Sequence, residues 1–185
     1  MKLRIKKKEE GAVEYIVSFF VFLIVLILIL SSIALRQAKT SKNFLDDGIT
    51  ASLLATEIIN PLDYNSGNIC IDETKAFSIF TSSLKINLNL SDDYLSNDNK
   101  FYSSIEISNF VVYNVKGTDI YEYVYDLNGN YTLTIHSDVA GTLQTPNGFT
   151  VNESSVYAKI KVLLNDFYGV EYGVKYVDEC VSLKN

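Results

Sequence analysis

Side chains that commonly perform catalysis are sparse and scattered in this sequence. His136 is the only histidine, and there is no CxxC pair, no HExxH motif and no glycine-rich phosphate loop. Carboxylates are plentiful, with 22 Asp and Glu residues, but their placement does not select a catalytic pair. We therefore expect no enzymatic activity and no bound cofactor or metal.

Cys70 and Cys180 are the only two cysteines. In an oxidising compartment an even pair more readily forms a disulfide than a metal or redox site, which would require closer spacing or more ligands. We expect a Cys70–Cys180 disulfide that joins the last strand to the helical side of the domain. It would close a loop of about 110 residues, worth about 4 to 5 kcal/mol in the chain-entropy description.

Three tripeptides match the acceptor pattern for N-glycosylation, with Asn89, Asn130 and Asn152 as the modified residues. The pattern has meaning only if the source organism glycosylates exported proteins, and such tripeptides also arise by chance. Glycosylation at these positions is therefore one interpretation, and unmodified surface asparagine is the other.

These candidates must be positioned by the rest of the chain, which is dominated by one apolar segment. Tyr15–Leu35 contains 21 residues and no charge. As a helix it would cover about 31 Å, which is enough to cross the hydrocarbon layer of a bilayer. Inside hydrocarbon a single segment must satisfy its own backbone hydrogen bonds, so the sequence predicts a transmembrane α-helix.

The charges that flank the segment predict its orientation. Five Lys or Arg residues precede it and three follow it, and the flank richer in these residues normally stays cytoplasmic. The five are Lys2, Arg4, Lys6, Lys7 and Lys8, and the three are Arg36, Lys39 and Lys42. We expect a single-pass protein of the cell membrane, or a surface filament, with residues 36–185 outside the cytoplasm.

The part that follows the span is long enough for one domain of ordinary size. The formal net charge of the whole chain is -6. Nucleic-acid binding requires clustered Lys and Arg to contact phosphates, so this charge argues against a nucleic-acid partner.

The start of the apolar segment resembles a known class of export signal. A basic leader is followed by Gly11, Ala12, Val13, Glu14 and Tyr15, and then by the long apolar run. This arrangement resembles the class III signal of type IV pilin-like proteins, and is most similar to the TadE-like pseudopilins of tight-adherence pili. The resemblance implies a leader of residues 1–11 that a prepilin peptidase removes after Gly11, a transmembrane and assembly helix of residues 12–35, and an extracytoplasmic head of residues 36–185.

The same resemblance implies a structural role. The chain would be a minor pilin or pseudopilin whose partners are membrane lipid, the prepilin peptidase and the helices of other pilin-like subunits. A carboxylate at the edge of hydrocarbon is costly unless it is paired, and the new amine at Ala12 of one subunit would pair with Glu14 of its neighbour. Glu14 would be the third residue of the mature chain, whereas the family position is the fifth.

A plainer interpretation of the same residues is an uncleaved signal anchor. No small-residue cleavage site follows the apolar segment, which is also longer than the apolar region of an ordinary secretory signal. In that case the chain would be a membrane-anchored binding or sensor module that no prepilin peptidase processes.

The remaining periodicity predicts an α+β fold. Apolar residues at helical spacing continue the first helix, which we expect to run from Ala12 to Ile59 and to stop before Pro61. Leu62–Ile71 should be a loop, and Asp72 should cap a short second helix. The apolar set of that helix is Ala76, Phe77, Ile79, Phe80 and Leu84.

From Lys85 onward the apolar period changes to two, which predicts an antiparallel sheet. The Asn128-Gly129 pair should form the turn of a hairpin. The expected strands are Lys85–Leu90, Ile105–Val115, Ile120–Tyr125, Tyr131–Ile135, a half-buried strand Val156–Val162, and Val170–Val181. Asn165–Gly169 should turn between the last two. Most of the tyrosines lie in this part of the chain. They are suited to a sheet with one solvent-exposed face, or they could form an external contact face.

Overall fold

A computed structural model describes residues 2–98, 101–165 and 170–183, with the side chains of residues 2–12 and 172 excepted. It confirms the predicted α+β fold with a long first helix and an antiparallel sheet. The elements are α1 (Lys2–Leu54), α2 (Pro61–Asn65), α3 (Glu73–Asn87), β1 (Tyr102–Lys116), β2 (Asp119–Tyr125), β3 (Tyr131–His136), β4 (Ser155–Asn165) and β5 (Glu171–Ser182). The turn expected at Asn165–Gly169 lies largely outside the described residues.

The chain forms two compact units, Met1–Lys42 and Asn43–Asn185. The first consists of the N-terminal part of α1. In the second, the last turns of α1 bury Leu45, Ile49 and Leu53 at a spacing of four residues, which places all three on one helical face. We call the second unit the head.

Helix α1 ends at Leu54, five residues before the predicted end at Ile59. The segment that follows pairs with the chain just before α3. The Asn60 N–H donates to the Cys70 carbonyl at 2.8 Å, and the Asp72 N–H donates to the Ile58 carbonyl at 2.7 Å. These tertiary hydrogen bonds replace those of a further helical turn, so the helix stops where the pairing begins.

Glu57 lies in this turn with one carboxylate oxygen, Oε1, buried and without a hydrogen-bond partner among the described residues. Burial raises the pKa of this carboxyl. A raised acid pKa means that the folded state favours the protonated form. The folded state is therefore penalised at neutral pH, and the penalty disappears as the pH falls below the pKa of the unfolded chain.

We expect Glu57→Gln to increase the free energy of unfolding by about 1 kcal/mol at pH 7, because the neutral amide costs less to bury than the carboxylate. The gain should shrink toward zero below about pH 4. Urea unfolding of the full chain in detergent at both pH values measures it. Glu153→Gln, which removes a carboxylate on the loop before β4, controls for the lost charge. A gain that is the same at both pH values would contradict the explanation.

Helix α2 was not predicted, because Leu62–Ile71 was expected to be a loop. Asn60 caps the helix, with its side-chain oxygen accepting from the Leu62 N–H at 3.0 Å. Pro61 occupies the first turn, where its missing N–H costs nothing and its fixed φ suits a helix. The Asn-Pro pair therefore ends one helix and also begins the next.

Helix α3 confirms the predicted cap, because Asp72 accepts from the Thr74 N–H at 3.1 Å. Of the predicted apolar set, Ala76, Phe80 and Leu84 are buried, whereas Phe77 and Ile79 are only partly buried. The predicted strand Lys85–Leu90 is wrong, because α3 continues to Asn87. Leu84 and Leu88 are both fully buried at a spacing of four, whereas Ile86 between them is 79% exposed. The apparent alternation therefore arose because Leu88 belongs to the buried face of a helix while Ile86 is an exposed apolar side chain on another face.

The five strands form one antiparallel sheet in the order β3-β2-β1-β4-β5. The long strand β1 is central: Val112 pairs with Tyr123 of β2 on one side and with Val156 of β4 on the other. The strands at either side join in sequence-adjacent hairpins, so each connection is between neighbours except that from β3 to β4.

The hairpin of β2 and β3 was predicted, but its turn is longer than two residues. Gly129 has a φ of +83°, and the Asp126 N–H donates to the Asn130 carbonyl at 2.8 Å. The Asp126 carboxylate accepts from the N–H groups of Asn128 and Asn130, both at 2.9 Å. These side-chain bonds stabilise the longer turn, and they hold the pKa of Asp126 below its usual value, with the Asn130 side chain as the largest cause.

Both faces of the central sheet are covered. Phe110 and Val112 face a cluster that includes Ile71, Phe80 and the buried face of α1. Val111 and Tyr113, which alternate with them, face a second cluster under the loop from β3 to β4. The prediction of a half-buried β4 holds from Ala158 to Val162, where Lys159 and Lys161 are only partly buried. It is wrong at the start of the strand, where Tyr157 on the second face is only 1% exposed.

Two buried tyrosines attach α3 to the sheet. The Tyr125 hydroxyl donates to the Glu73 carbonyl at 2.5 Å, at the start of α3, and the Tyr102 hydroxyl donates to the carbonyl of Leu88 at its end. Burial raises the pKa of Tyr102 to about 12. These tyrosines hold secondary structure in the interior and do not form an external contact face.

Candidate functional site: the apolar helix and its first residues

The apolar part of α1 exposes its side chains on every side of the helix. Seventeen large apolar side chains between Val13 and Leu35, a range that the structure describes completely, are exposed. By length and composition α1 is able to cross a membrane. An amphipathic surface helix would bury one stripe and expose the other, and this part of α1 does not show that pattern.

Glu14 and Tyr15 lie at the start of this exposed region. Tyr15 is 81% exposed. Glu14 is also exposed, and it forms no ion pair with the residues that the structure describes. Gly11 and Ala12 belong to α1 by their backbone.

Polar residues follow the apolar region without interrupting the helix. Arg36, Lys39 and Lys42 are all exposed, and the Ser41 hydroxyl donates back to the Gln37 carbonyl at 2.8 Å. Exposed basic side chains directly after an apolar span suit the polar boundary of a membrane.

The predicted disulfide is not formed, and both cysteines are free. The Cys70 thiol donates to the Val115 carbonyl at the end of β1. Cys180 lies on β5 opposite Tyr157 of β4 and packs against the second cluster. Two strand spacings separate β1 from β5, or about 9 to 10 Å, whereas bonded cysteines have Cα atoms about 4.4 to 6.8 Å apart.

Burial also disfavours the thiolate form of both cysteines. Desolvation is the largest cause that raises the pKa of each thiol to about 11. For Cys70 the nearby Asp63 carboxylate adds to the effect. Cys70 is buried and Cys180 is partly buried.

The three candidate glycosylation residues are all on the surface. Asn89, Asn130 and Asn152 are exposed. Two of their side-chain amides make local hydrogen bonds. The Asn130 Nδ2 donates to the Asp126 carboxylate at 3.1 Å, and the Asn152 Nδ2 donates to the Thr150 carbonyl at 3.5 Å. Their positions leave room for a surface sugar, and glycosylation stays a prediction.

His136 is partly exposed and contacts Glu122 on the neighbouring strand, with His136 Nε2 2.8 Å from Glu122 Oε2. This is a cross-strand pair on the surface of the sheet. Within the ranges that the structure describes, no three His, Cys, Asp or Glu side chains converge in a way that would hold a metal ion.

Sequence reasoning did not identify the open edge of the sheet formed by β3. The run Tyr131–His136 was correctly predicted as a strand, but its place at the edge depends on the order of all five strands. The available signal was its composition, since the run contains no Asp, Glu, Lys, Arg or Pro.

Comparison of the chain with known protein families, curated proteins and solved structures found no match.

Proposed function

We propose that this chain is a non-catalytic, pilin-like structural subunit that is anchored by α1 and assembles through that helix into, or at the base of, a surface filament. The observation that carries the proposal is the exposed, uncharged segment Tyr15–Leu35 with a carboxylate, Glu14, directly before it. The head, built around a closed core of its own, would lie outside the cytoplasm.

The energetics of the exposed segment support an apolar environment. Each large apolar side chain gains about 1.5 to 3 kcal/mol when it is removed from water. For the seventeen exposed side chains this amounts to on the order of 30 kcal/mol. Lipid supplies such cover before assembly, and the helices of neighbouring subunits supply it afterwards.

Glu14 supports assembly rather than simple anchoring. A plain anchor gains nothing from a carboxylate at its apolar end, because an ionised group there is costly unless it is paired. After cleavage behind Gly11, the amine of Ala12 would be two residues away in the same helix. Residues at that spacing do not face each other, so the amine is better placed to pair with Glu14 of an adjacent subunit.

Replacement of Glu14 by Gln tests this pairing. In cells that build the filament, Glu14→Gln should abolish filaments on the cell surface while the amount of membrane-inserted protein stays at the wild-type level, because the amide cannot pair with the amine as an ion. Electron microscopy and membrane fractionation measure the two quantities. Asp93→Asn, which removes an exposed carboxylate on the head, should leave the filaments unchanged.

Normal filaments in the Glu14→Gln cells would overturn the assembly role.

Processing has its own test. Coexpression with a prepilin peptidase should give an intact mass that corresponds to a chain beginning at Ala12. A mass that still includes Met1 would count against processing. Exchange of Tyr15–Leu35 for an unrelated apolar helix separates the alternatives, since a membrane-anchored binding module would keep its function and an assembling subunit would lose it.

A further inference from the structure

Strand β3 is an edge of the sheet, since the order is β3-β2-β1-β4-β5. Its side chains are exposed at five of six positions. Tyr131, Leu133 and Ile135 form one apolar stripe on the same face as Tyr123 and Tyr125. The Tyr131 ring packs against those of Tyr123 and Tyr125, with centroids 5.2 and 5.5 Å apart.

The hairpin determines which backbone groups of β3 face the open side. The bond from the Asp126 N–H to the Asn130 carbonyl makes these two residues a hydrogen-bonded pair. Hydrogen-bonded and non-bonded pairs alternate along an antiparallel ladder. Thr132, Thr134 and His136 therefore direct their backbone groups to β2. The N–H and C=O groups of Tyr131, Leu133 and Ile135 point to the open edge.

The two edges of the sheet differ in charge. Strand β5 carries Glu171, Lys175, Asp178 and Glu179, and charged side chains discourage the pairing of an edge with another strand. Strand β3 carries no Asp, Glu, Lys or Arg, and its only titratable side chains are Tyr131 and His136. Only the β5 edge therefore has the usual protection against a further strand.

We propose that the β3 edge binds the β3 edge of a second copy of this chain, antiparallel and with the two-fold axis at Leu133. In this register Leu133 lies opposite its counterpart, and Tyr131 lies opposite Ile135 of the other copy. The outward N–H and C=O groups of all three residues are then used in both copies. The two apolar stripes become neighbours, and the two sheets form one continuous sheet.

A second copy fits this edge because the strand is self-complementary. An antiparallel two-fold contact brings each residue against a residue of the same strand, so a strand with like charges would repel itself. Strand β3 has no such charges. Apart from Leu133 at the axis, its residues are β-branched or aromatic, which favours strand pairing: Tyr131, Thr132, Thr134, Ile135 and His136.

Contacts of one strand are small and belong to the transient class. Confinement of the subunits to one membrane, which rests on the proposed function, would raise their effective concentration.

Cysteine crosslinking of the full chain tests the axis. Residues of a hydrogen-bonded antiparallel pair have Cα atoms about 5.5 Å apart, which suits a disulfide. Under mild oxidation in membranes and in detergent, Leu133→Cys should give at least about fivefold more disulfide-linked dimer than the parent chain with its two native thiols. Leu127→Cys is the matched control, because Leu127 is more exposed, 72% against 44%. It lies in the turn beyond Asn130, which is three residues or about 10 Å from Leu133, so two copies of Leu127 would be more than about 20 Å apart across the axis.

Equal dimer from Leu133→Cys and Leu127→Cys, or no dimer from Leu133→Cys, would overturn the proposal. Val174→Cys reports on the other edge, where Val174 is exposed. If chains with Leu133→Cys crosslinked to chains with Val174→Cys and not to each other, the contact would be edge β3 to edge β5, and the two-fold contact would be refuted.

A charge at the axis provides an independent test. Leu133→Lys should lower dimer formation at least about fivefold in sedimentation of the detergent-solubilised chain, since two ammonium groups would meet across the axis. Ile86→Lys, at an exposed position on α3, should not change it. Unchanged dimer in Leu133→Lys would refute the contact. Because α1 is intact in every variant, failure of this contact is distinguishable from failure of membrane anchoring or of Glu14-dependent assembly.

Discussion

Replacement of Gly48 by Val should lower the free energy of unfolding of the head by about 3 kcal/mol. Gly48 lies in α1 where that helix crosses the end of α3. A Cβ atom at this position would overlap Leu88 Cδ2 and lie 3.1 Å from Leu88 Cγ. Leu88 is fully buried, so its side chain cannot move aside without disturbing the core.

A smaller substitution should separate packing from helix propensity. Gly48→Ala gains about 1 kcal/mol of helix propensity, which should offset part of the overlap and leave a net loss of about 1 kcal/mol. Gly173→Ala is the matched control, because a Cβ there meets nothing within 4 Å. Urea unfolding of the full chain in detergent measures both.

A second substitution at the contact makes this explanation testable. Leu88→Ala alone should cost about 2 to 5 kcal/mol through the cavity that it leaves. In the double variant Gly48→Ala/Leu88→Ala, the new methyl group occupies part of that cavity, so the total loss should be smaller than the sum of the two single losses. Strict additivity would show that the two residues do not compete for the same space.

Replacement of Asn114 by Leu should cost about 4 kcal/mol. Asn114 is fully buried in β1. Its Oδ1 accepts from the Ile71 N–H at 2.8 Å, and its Nδ2 donates to the Ile71 carbonyl at 2.9 Å. One side chain thus completes both backbone hydrogen bonds of Ile71, as a strand partner would. A leucine leaves both groups buried and unpaired, at about 1 to 3 kcal/mol each.

The position of the loss should be visible as well as its size. In hydrogen exchange, the Ile71 amide of Asn114→Leu should exchange faster, because its acceptor is gone. Asn109→Leu, five residues earlier in the same strand and only partly buried, should cost less than about 1 kcal/mol. Equal losses for the two variants would show that the Ile71 contact is not the cause.

These two residues illustrate what sequence patterns do not reveal. From the sequence, Gly48 only weakens a helix. The structure shows that a glycine is needed there because Leu88, forty positions later in the chain, occupies the space of a side chain. Asn114 stands in an apolar run, Phe110–Val115, where a polar side chain looks out of place. Each makes sense only when the element packed against it is known. Buried polar groups need partners, but the sequence does not say which partner it is.

The features of the candidate site also fall into those that the sequence revealed and those that it did not. The apolar segment, its flanking charges and Glu14 were found directly, because the solvent preference of a single helix depends on its own composition. The open edge at β3 was not found, because an edge is defined by the strands that are absent from one side. The cysteine pair was predicted wrongly, since an even count carries no information about which strands separate the two thiols.

The sequence by itself determined the long apolar helix, the cap at Asp72, the strand-rich second half and the Asp126–Asn130 hairpin. Each depends on residues within about one or two turns of one another, where periodicity and backbone preference dominate. The tertiary structure alone decided that α1 stops at Leu54, that Lys85–Asn87 is helical, and that β4 is buried on both faces at its start. In those places the local conformational preference was weak. The free energy gained from hydrogen bonds and burial against distant segments was larger than that preference.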